Sequence, residues 1–184
     1  MNTKMSKAVC LSLLPYLLGL GVGSYAPLLA SVASSTVPEQ LKVPAGESLL
    51  LKAQAKGVQI YQCKAKAENP QQWEWTLKAP KADLFNDKGE KIGKHYAGPT
   101  WEANDGSKVV GEVKERVNAP EKDAIPWLLL KAKSHEGKGI FSKVTSIQRL
   151  DTSGGKAPST GCDESQKNAE VQVGYGADYY FFSN

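Results

Sequence analysis

"VQVGYGADYYF", residues 171–181, places Val171, Val173, Tyr175, Ala177, Tyr179 and Phe181 at every second position. A period of two sends all six to one face of an extended chain, whereas a helix would scatter them. The segment therefore reads as a long, half-buried strand. "VQIYQC" (58–63) and "WEWTL" (73–77) alternate in the same way. "PWLLLKAK" (126–133) and "IFSKVTSIQRL" (140–150) are strand-like runs opened by a proline or a glycine. On "WEWTL", Trp73, Trp75 and Leu77 share a face, and core packing is preferred over an exposed stacking platform for sugars.

Turn chemistry separates these runs. "NDKG" (86–89) puts Gly89 where a type I turn with a bulge needs it, and "NDGS" (104–107) offers Asp105-Gly106 for a tight two-residue hairpin. "EGKG" (136–139) and "TSGG" (152–155) mark two more breaks, and "EKDAIP" and "DESQKNAE" each have the composition of a single helical turn. No internal repeat and no helix of ordinary length is visible. The pattern predicts an all-β domain, an antiparallel β-sandwich or barrel-like fold with short helical turns only.

The N-terminus predicts the compartment. "MNTKMSK" carries two lysines and no acid, and an uncharged apolar run follows, the layout of a secretory signal. Small residues at Ser31 and Ala33 predict cleavage after Ala33, leaving residues 34–184 as one domain. The alternative is a retained anchor, which Pro15, Pro27 and the glycines at 19, 21 and 23 disfavour. "GLGVGS" (19–24) lacks the third glycine and the preceding strand of a dinucleotide loop.

The chain carries a net charge of +4, and two of its lysines lie in the signal, so the mature part is nearly neutral. Only Arg116 and Arg149 are arginines, and the lysines are scattered among acids. That argues against a nucleic-acid partner. Lysines inside "LLLKAKSH" and "VVGEVKERV" would interrupt a lipid-facing band, so no stable membrane insertion is expected once the signal is gone. With Cys10 in the signal, Cys63 and Cys162 remain, an even pair in an oxidising compartment, and a disulfide between them is expected. Closing so long a loop is worth up to about 4.7 kcal/mol in the chain-entropy model.

Catalytic motifs are excluded one after another. There are two histidines, His95 and His135, and no HExxH; no GxSxG elbow exists; and neither cysteine sits in a CxxC. Paired-carboxylate glycoside hydrolysis survives only because acids are plentiful and sequence does not show their separation.

The densest group of chemistry-bearing residues is "GKHYAGPTWEANDGSKVVG", 93–111. After Pro99 the chain from Thr100 to Ala103 should be extended and pair across Asp105-Gly106, with Trp101 opposite Val110 as a core anchor. Glu102 then points to the other face. The Gly98-Pro99 break resets the register, so the face of His95 does not follow. On one reading His95 caps a strand end, Asp105 makes the turn and Glu102 is solvated. On the other, His95, Glu102 and Asp105 form a polar cluster for a cation or a sugar hydroxyl, with Trp101 nearby; no metal and no cofactor are assigned.

"HYAGPTWE", "DGS", "IPWLLLKA", "VTSIQRLDTSGG" with "AP" after it, Cys162 and "YGADYYFF" together resemble the DUF3455 family of exported proteins from bacteria and fungi. The resemblance runs from about Pro38 to Phe182. It implies no catalytic residue, because the family is defined as a domain of unknown function. Some fungal relatives carry a dehydrogenase label, which no βαβ pattern or GxGxxG here supports. The function expected is a non-catalytic binding or envelope-associated module whose partner is a small molecule, a glycan or an envelope component. The alternative is an exported hydrolase or metal-dependent enzyme using His95 and nearby carboxylates.

Overall fold

The computed structural model describes residues 36–184, and the export signal expected at 1–33 lies outside the described residues. Eight strands follow in chain order: β1 (Ser48–Ala65), β2 (Trp73–Phe85), β3 (Lys91–Tyr96), β4 (Thr100–Ala103), β5 (Lys108–Val117), β6 (Trp127–Glu136), β7 (Ser146–Gly154) and β8 (Glu170–Ser183). Each pairs antiparallel with the next, and β8 returns to β1, so the sheet closes into a barrel. Closure rests on the two longest strands. β1 and β8 pair from Ser48 opposite Ser183 to Gln62 opposite Glu170, with one bulge between Leu49 and Leu51, which leaves neither as an open edge.

The alternation read from 171–181 holds where the barrel is closed: Tyr175, Ala177, Tyr179 and Phe181 are all buried. Their neighbours face outward, as Asp178 does in its ion pair with Lys52 at 2.9 Å. The interior below the middle of the barrel is a dry apolar core of Ala53, Ala55, Leu84, Val109, Leu130 and Ile147 with Phe181. A second, smaller cluster lies on the outer wall, where Leu41 packs on Trp127 and Leu150. Gln148 ties that segment down by donating from Nε2 to the Leu41 carbonyl at 2.6 Å.

Helical structure among the described residues is confined to single 3-10 turns at Glu39–Leu41, Ile140–Lys143 and Glu164–Gln166. The last falls within "DESQKNAE", as expected. "EKDAIP" instead forms a plain turn closed by the Ala124 amide on the Glu121 carbonyl at 3.2 Å.

Three expectations are corrected. "IFSKVTSIQRL" is not one strand: its first four residues turn so that Phe141 fills the end of the apolar core against Phe181, with ring centroids 4.7 Å apart, and the strand begins at Ser146. The 104–107 hairpin has a three-residue loop. Ala103 and Ser107 bracket it through the Ala103 N–H to the Ser107 carbonyl, and Gly106 takes φ +84°. Trp101 therefore stands opposite Val109, one residue short of the expected Val110. Trp73 and Trp75 are half-buried and Leu77 is 53% exposed, because this end of β2 runs past the strand beside it and has no closed interior to face.

Cys63 and Cys162 are joined, with Cα atoms 5.4 Å apart. The bond pins the β7–β8 connection against β1. Two further bonds hold that connection in place: the Tyr61 hydroxyl donates to the Gly155 carbonyl at 2.6 Å, and Trp75 Nε1 donates to the Thr160 carbonyl at 2.9 Å.

Candidate functional site

The four residues singled out in 93–111 are divided between the two faces of the barrel wall. β3 and β4 pair His95 with Trp101 and Lys94 with Glu102. Directly opposed residues share a face and successive ones alternate. His95 and Trp101 thus point inward together, while Lys94, Tyr96 and Glu102 point outward. The structure brings His95 to Trp101 and parts it from Glu102 and Asp105, so the polar cluster of His95, Glu102 and Asp105 is not formed. Among the described residues no group of three His, Cys, Asp or Glu side chains is placed to hold a metal ion.

Glu102 belongs to an outer-wall network, accepting from the Tyr96 hydroxyl at 2.7 Å and pairing with Lys94 at 3.2 Å. The Tyr96 hydrogen bond holds its carboxyl below the ordinary range, with Lys94 adding to the effect. Asp105 is a structural turn residue. Its carboxylate accepts from the Ser107 hydroxyl at 2.6 Å, the Ser107 amide at 2.8 Å and the Ile140 amide at 2.9 Å, and these bonds depress its pKa. It thereby anchors the turn that carries Phe141 into the core.

His95 is 2% exposed and lies flat on Trp101, with ring centroids 4.4 Å apart and planes at 13°. Tyr179 meets both rings edge-on. The Nδ1–H of His95 donates to the Thr100 carbonyl at 2.8 Å, which fixes the tautomer. Burial pushes its pKa down to about 3, against the opposing pull of that hydrogen bond, so the ring is neutral at physiological pH. Neither sequence reading of His95 survives: it caps no strand end and joins no carboxylates.

The stacked pair forms one side of a cavity of about 360 Å³. Its origin is a mismatch in strand length. β3 and β4 are short, and their turn at Ala97-Gly98-Pro99 ends while the strands flanking them continue. β2 pairs with β3 only over Ala82–Phe85, and β5 pairs with β4 only over Lys108–Val110. Above that turn the wall is interrupted, with Leu77 and Pro80 of β2 on one side of the opening and Val113 and Arg116 of β5 on the other. Leu77 and Val113, at 53% and 40% exposure, are two of the few large apolar side chains left in solvent, and both stand at this mouth.

Inside, the lining changes character. Gln59 from β1 and Arg149 from β7 project into the lumen beside His95 and Tyr179. Arg149 donates from Nε and Nη2 to the Pro126 carbonyl at 3.1 and 2.8 Å and stands opposite Tyr179 in the β7–β8 ladder. Burial raises the Tyr179 pKa, and the Arg149 charge opposes that rise. Two buried donors in this wall, Gln59 Nε2 and Trp101 Nε1, have no hydrogen-bond partner. Buried N–H groups are rarely left so, because each carries a desolvation penalty of about 1–3 kcal/mol.

A family model described as a protein of unknown function (DUF3455) matches residues 44–183. The chain belongs to the DUF3455 family. No curated protein and no solved structure matches it. The match covers every element of this DUF3455 barrel from β1 to β8, including both walls of the lumen opening. Gln59 and Arg149, which sequence reading passed over as functional residues, lie within it. The local pattern gave no signal for Arg149, which alternates with Lys143, Thr145, Ile147 and Asp151. Gln59 did carry a signal, since it alternates with Tyr61 and Cys63 in "VQIYQC".

Proposed function

We propose that this DUF3455 protein is a non-catalytic binding module that takes up a small molecule in the barrel lumen. The observation that carries the reading is the open cavity of about 360 Å³, with mostly apolar walls and the side chains of Gln59 and Arg149 among its lining. Small-molecule sites begin at about 300 Å³ and combine mostly apolar walls with a few placed polar groups. Eight strands enclose an interior just wide enough to be filled by side chains or to hold one small ligand. Here the lower half is filled and the upper half is not. The enzyme alternative loses its basis in 93–111, since Glu102 and Asp105 lie outside the lumen that holds His95.

An exported, water-facing location fits the same features. The lysine-then-apolar N-terminus and the long-range disulfide suit secretion. The outer wall carries ion pairs at Lys52–Asp178, Lys91–Asp83 and Lys94–Glu102 over an apolar interior, the reverse of a membrane barrel. No helix among the described residues is long and apolar enough to cross a membrane.

The test is a thermal-shift screen of the protein against small neutral and charged aromatic and aliphatic compounds, repeated with Val113→Trp. That substitution adds bulk at the exposed mouth and leaves the core untouched. Stabilising compounds should lose their effect in the variant. A screen with no stabilising compound, or hits that bind the variant equally well, would remove the lumen reading.

A further inference from the structure

Resting on that reading, we infer that the ligand is a monocarboxylate with a flat apolar body, its carboxylate directed to Arg149. The chain has only two arginines, Arg116 and Arg149, and both line this one cavity. No aspartate or glutamate lines it. Arginine is the residue suited to two-point recognition of a carboxylate, since its planar fork offers five donors and never loses its charge.

The two arginines occupy different depths. Arg116 stands at the rim, and among the described residues no ion pair engages it or Arg149. The third cation at the cavity, Lys78, is already bonded to Glu170. Arg149 spends two donors on the Pro126 carbonyl and also bonds the Tyr179 hydroxyl, both neutral partners, so among the described residues no carboxylate pairs with its partly buried charge. Such a charge is costly to hold without a counter-ion. The lumen therefore offers one interior positive charge, and no acidic side chain lines it. A group that only accepts and carries one negative charge satisfies that set.

The body of the ligand follows from the walls. The stacked His95–Trp101 pair and the side chains of Leu128, Leu130 and Pro80 line an apolar slot leading to Leu77 and Val113 at the mouth. His95, neutral with its Nδ1–H committed to Thr100, adds area and no charge. A dianion would face a single interior guanidinium.

Isothermal titration of the protein with 2-naphthoate, 2-naphthamide and phenyl phosphate tests the inference. The acid and the amide share one shape and differ in charge. The acid should bind at least about tenfold tighter than the amide, the difference expected of a charge-assisted pair. That preference should shrink with added salt and vanish in Arg149→Gln, with amide affinity kept within about threefold; Arg149→Lys should retain part of it. Equal binding of acid and amide, acid binding that survives Arg149→Gln, or tighter binding of phenyl phosphate would overturn the inference. Should Arg149→Gln not fold, the acid-to-amide ratio and its salt dependence in the parent decide alone. Amide binding equal to acid removes the anion and keeps the lumen; failure of all three probes removes the inference, and failure of the thermal-shift screen as well removes the lumen reading with it.

Discussion

A histidine stacked inside a barrel makes stability depend on pH in a definite direction. Folded His95 stays neutral down to about pH 3, whereas in the unfolded chain it takes a proton below about 6.5. Between those values the unfolded state binds more protons, so stability is complete above about pH 6.5 and falls as the pH is lowered. The slope should reach at most about 1.4 kcal/mol per pH unit. Glu102, Asp105 and Asp163 have depressed values, so their contributions are lost only as the pH falls below about 5. Urea unfolding from pH 7.5 to about 5.5 therefore separates the histidine from these carboxylates. His95→Phe, which keeps a flat ring on Trp101, should flatten the profile there, and an unchanged slope would show that another group titrates.

Between elements, the fit of β4 onto β5 depends on a missing side chain. A Cβ on Gly111 would lie 2.9 Å from Trp101 Cζ3 and 3.2 Å from Leu130 Cδ2, so the indole rests where β5 carries no side chain. Gly111→Ala should destabilise the fold by about 1–3 kcal/mol through overpacking, read by urea denaturation. A neutral result would mean that the Trp101 ring shifts freely. The same hairpin reaches the far end of the core through Asp105, whose carboxylate holds the Ile140 amide, while Ser107 Oγ accepts from the Phe141 amide at 3.1 Å. The turn "NDGS" is thus a structural joint with a distant partner. The neighbouring β3–β4 hairpin is the short one that leaves the wall open above Pro99, so β4 belongs both to the hairpin that anchors the apolar end and to the one that creates the mouth of the lumen.

For the whole molecule, the long-range crosslink dominates. The Cys63–Cys162 bond has a sequence separation of 99 and ties the β7–β8 connection to β1, the strand that closes the barrel. Replacing both cysteines by serine should cost about 2–5 kcal/mol. For a domain of this size that corresponds to a melting temperature lower by roughly 4–20 °C, measured by circular dichroism against the parent. Adding reductant to the parent should give a similar fall, and coincident curves for all samples would show the bond to be dispensable.

Alternation, turn residues and cysteine parity are local or countable properties, and they were sufficient for the all-β class, for the buried face of β8, for Trp101 as a core residue and for the disulfide. "VQVGYGADYYF" announces its inward face because side chains on a strand alternate whatever lies beyond them. Sandwich against barrel could not be separated this way, since closure depends on β1 meeting β8, two segments at opposite ends of the domain. The face of His95 was hidden by the Gly98-Pro99 break, and only its pairing with Trp101 across β3 and β4 settles it. The register at Val109 turned on one residue of loop length. Least legible was the site itself: Gln59, His95, Trp101, Arg149 and Tyr179 lie on five different strands, and their meeting follows from barrel closure and from a hairpin too short to complete the wall.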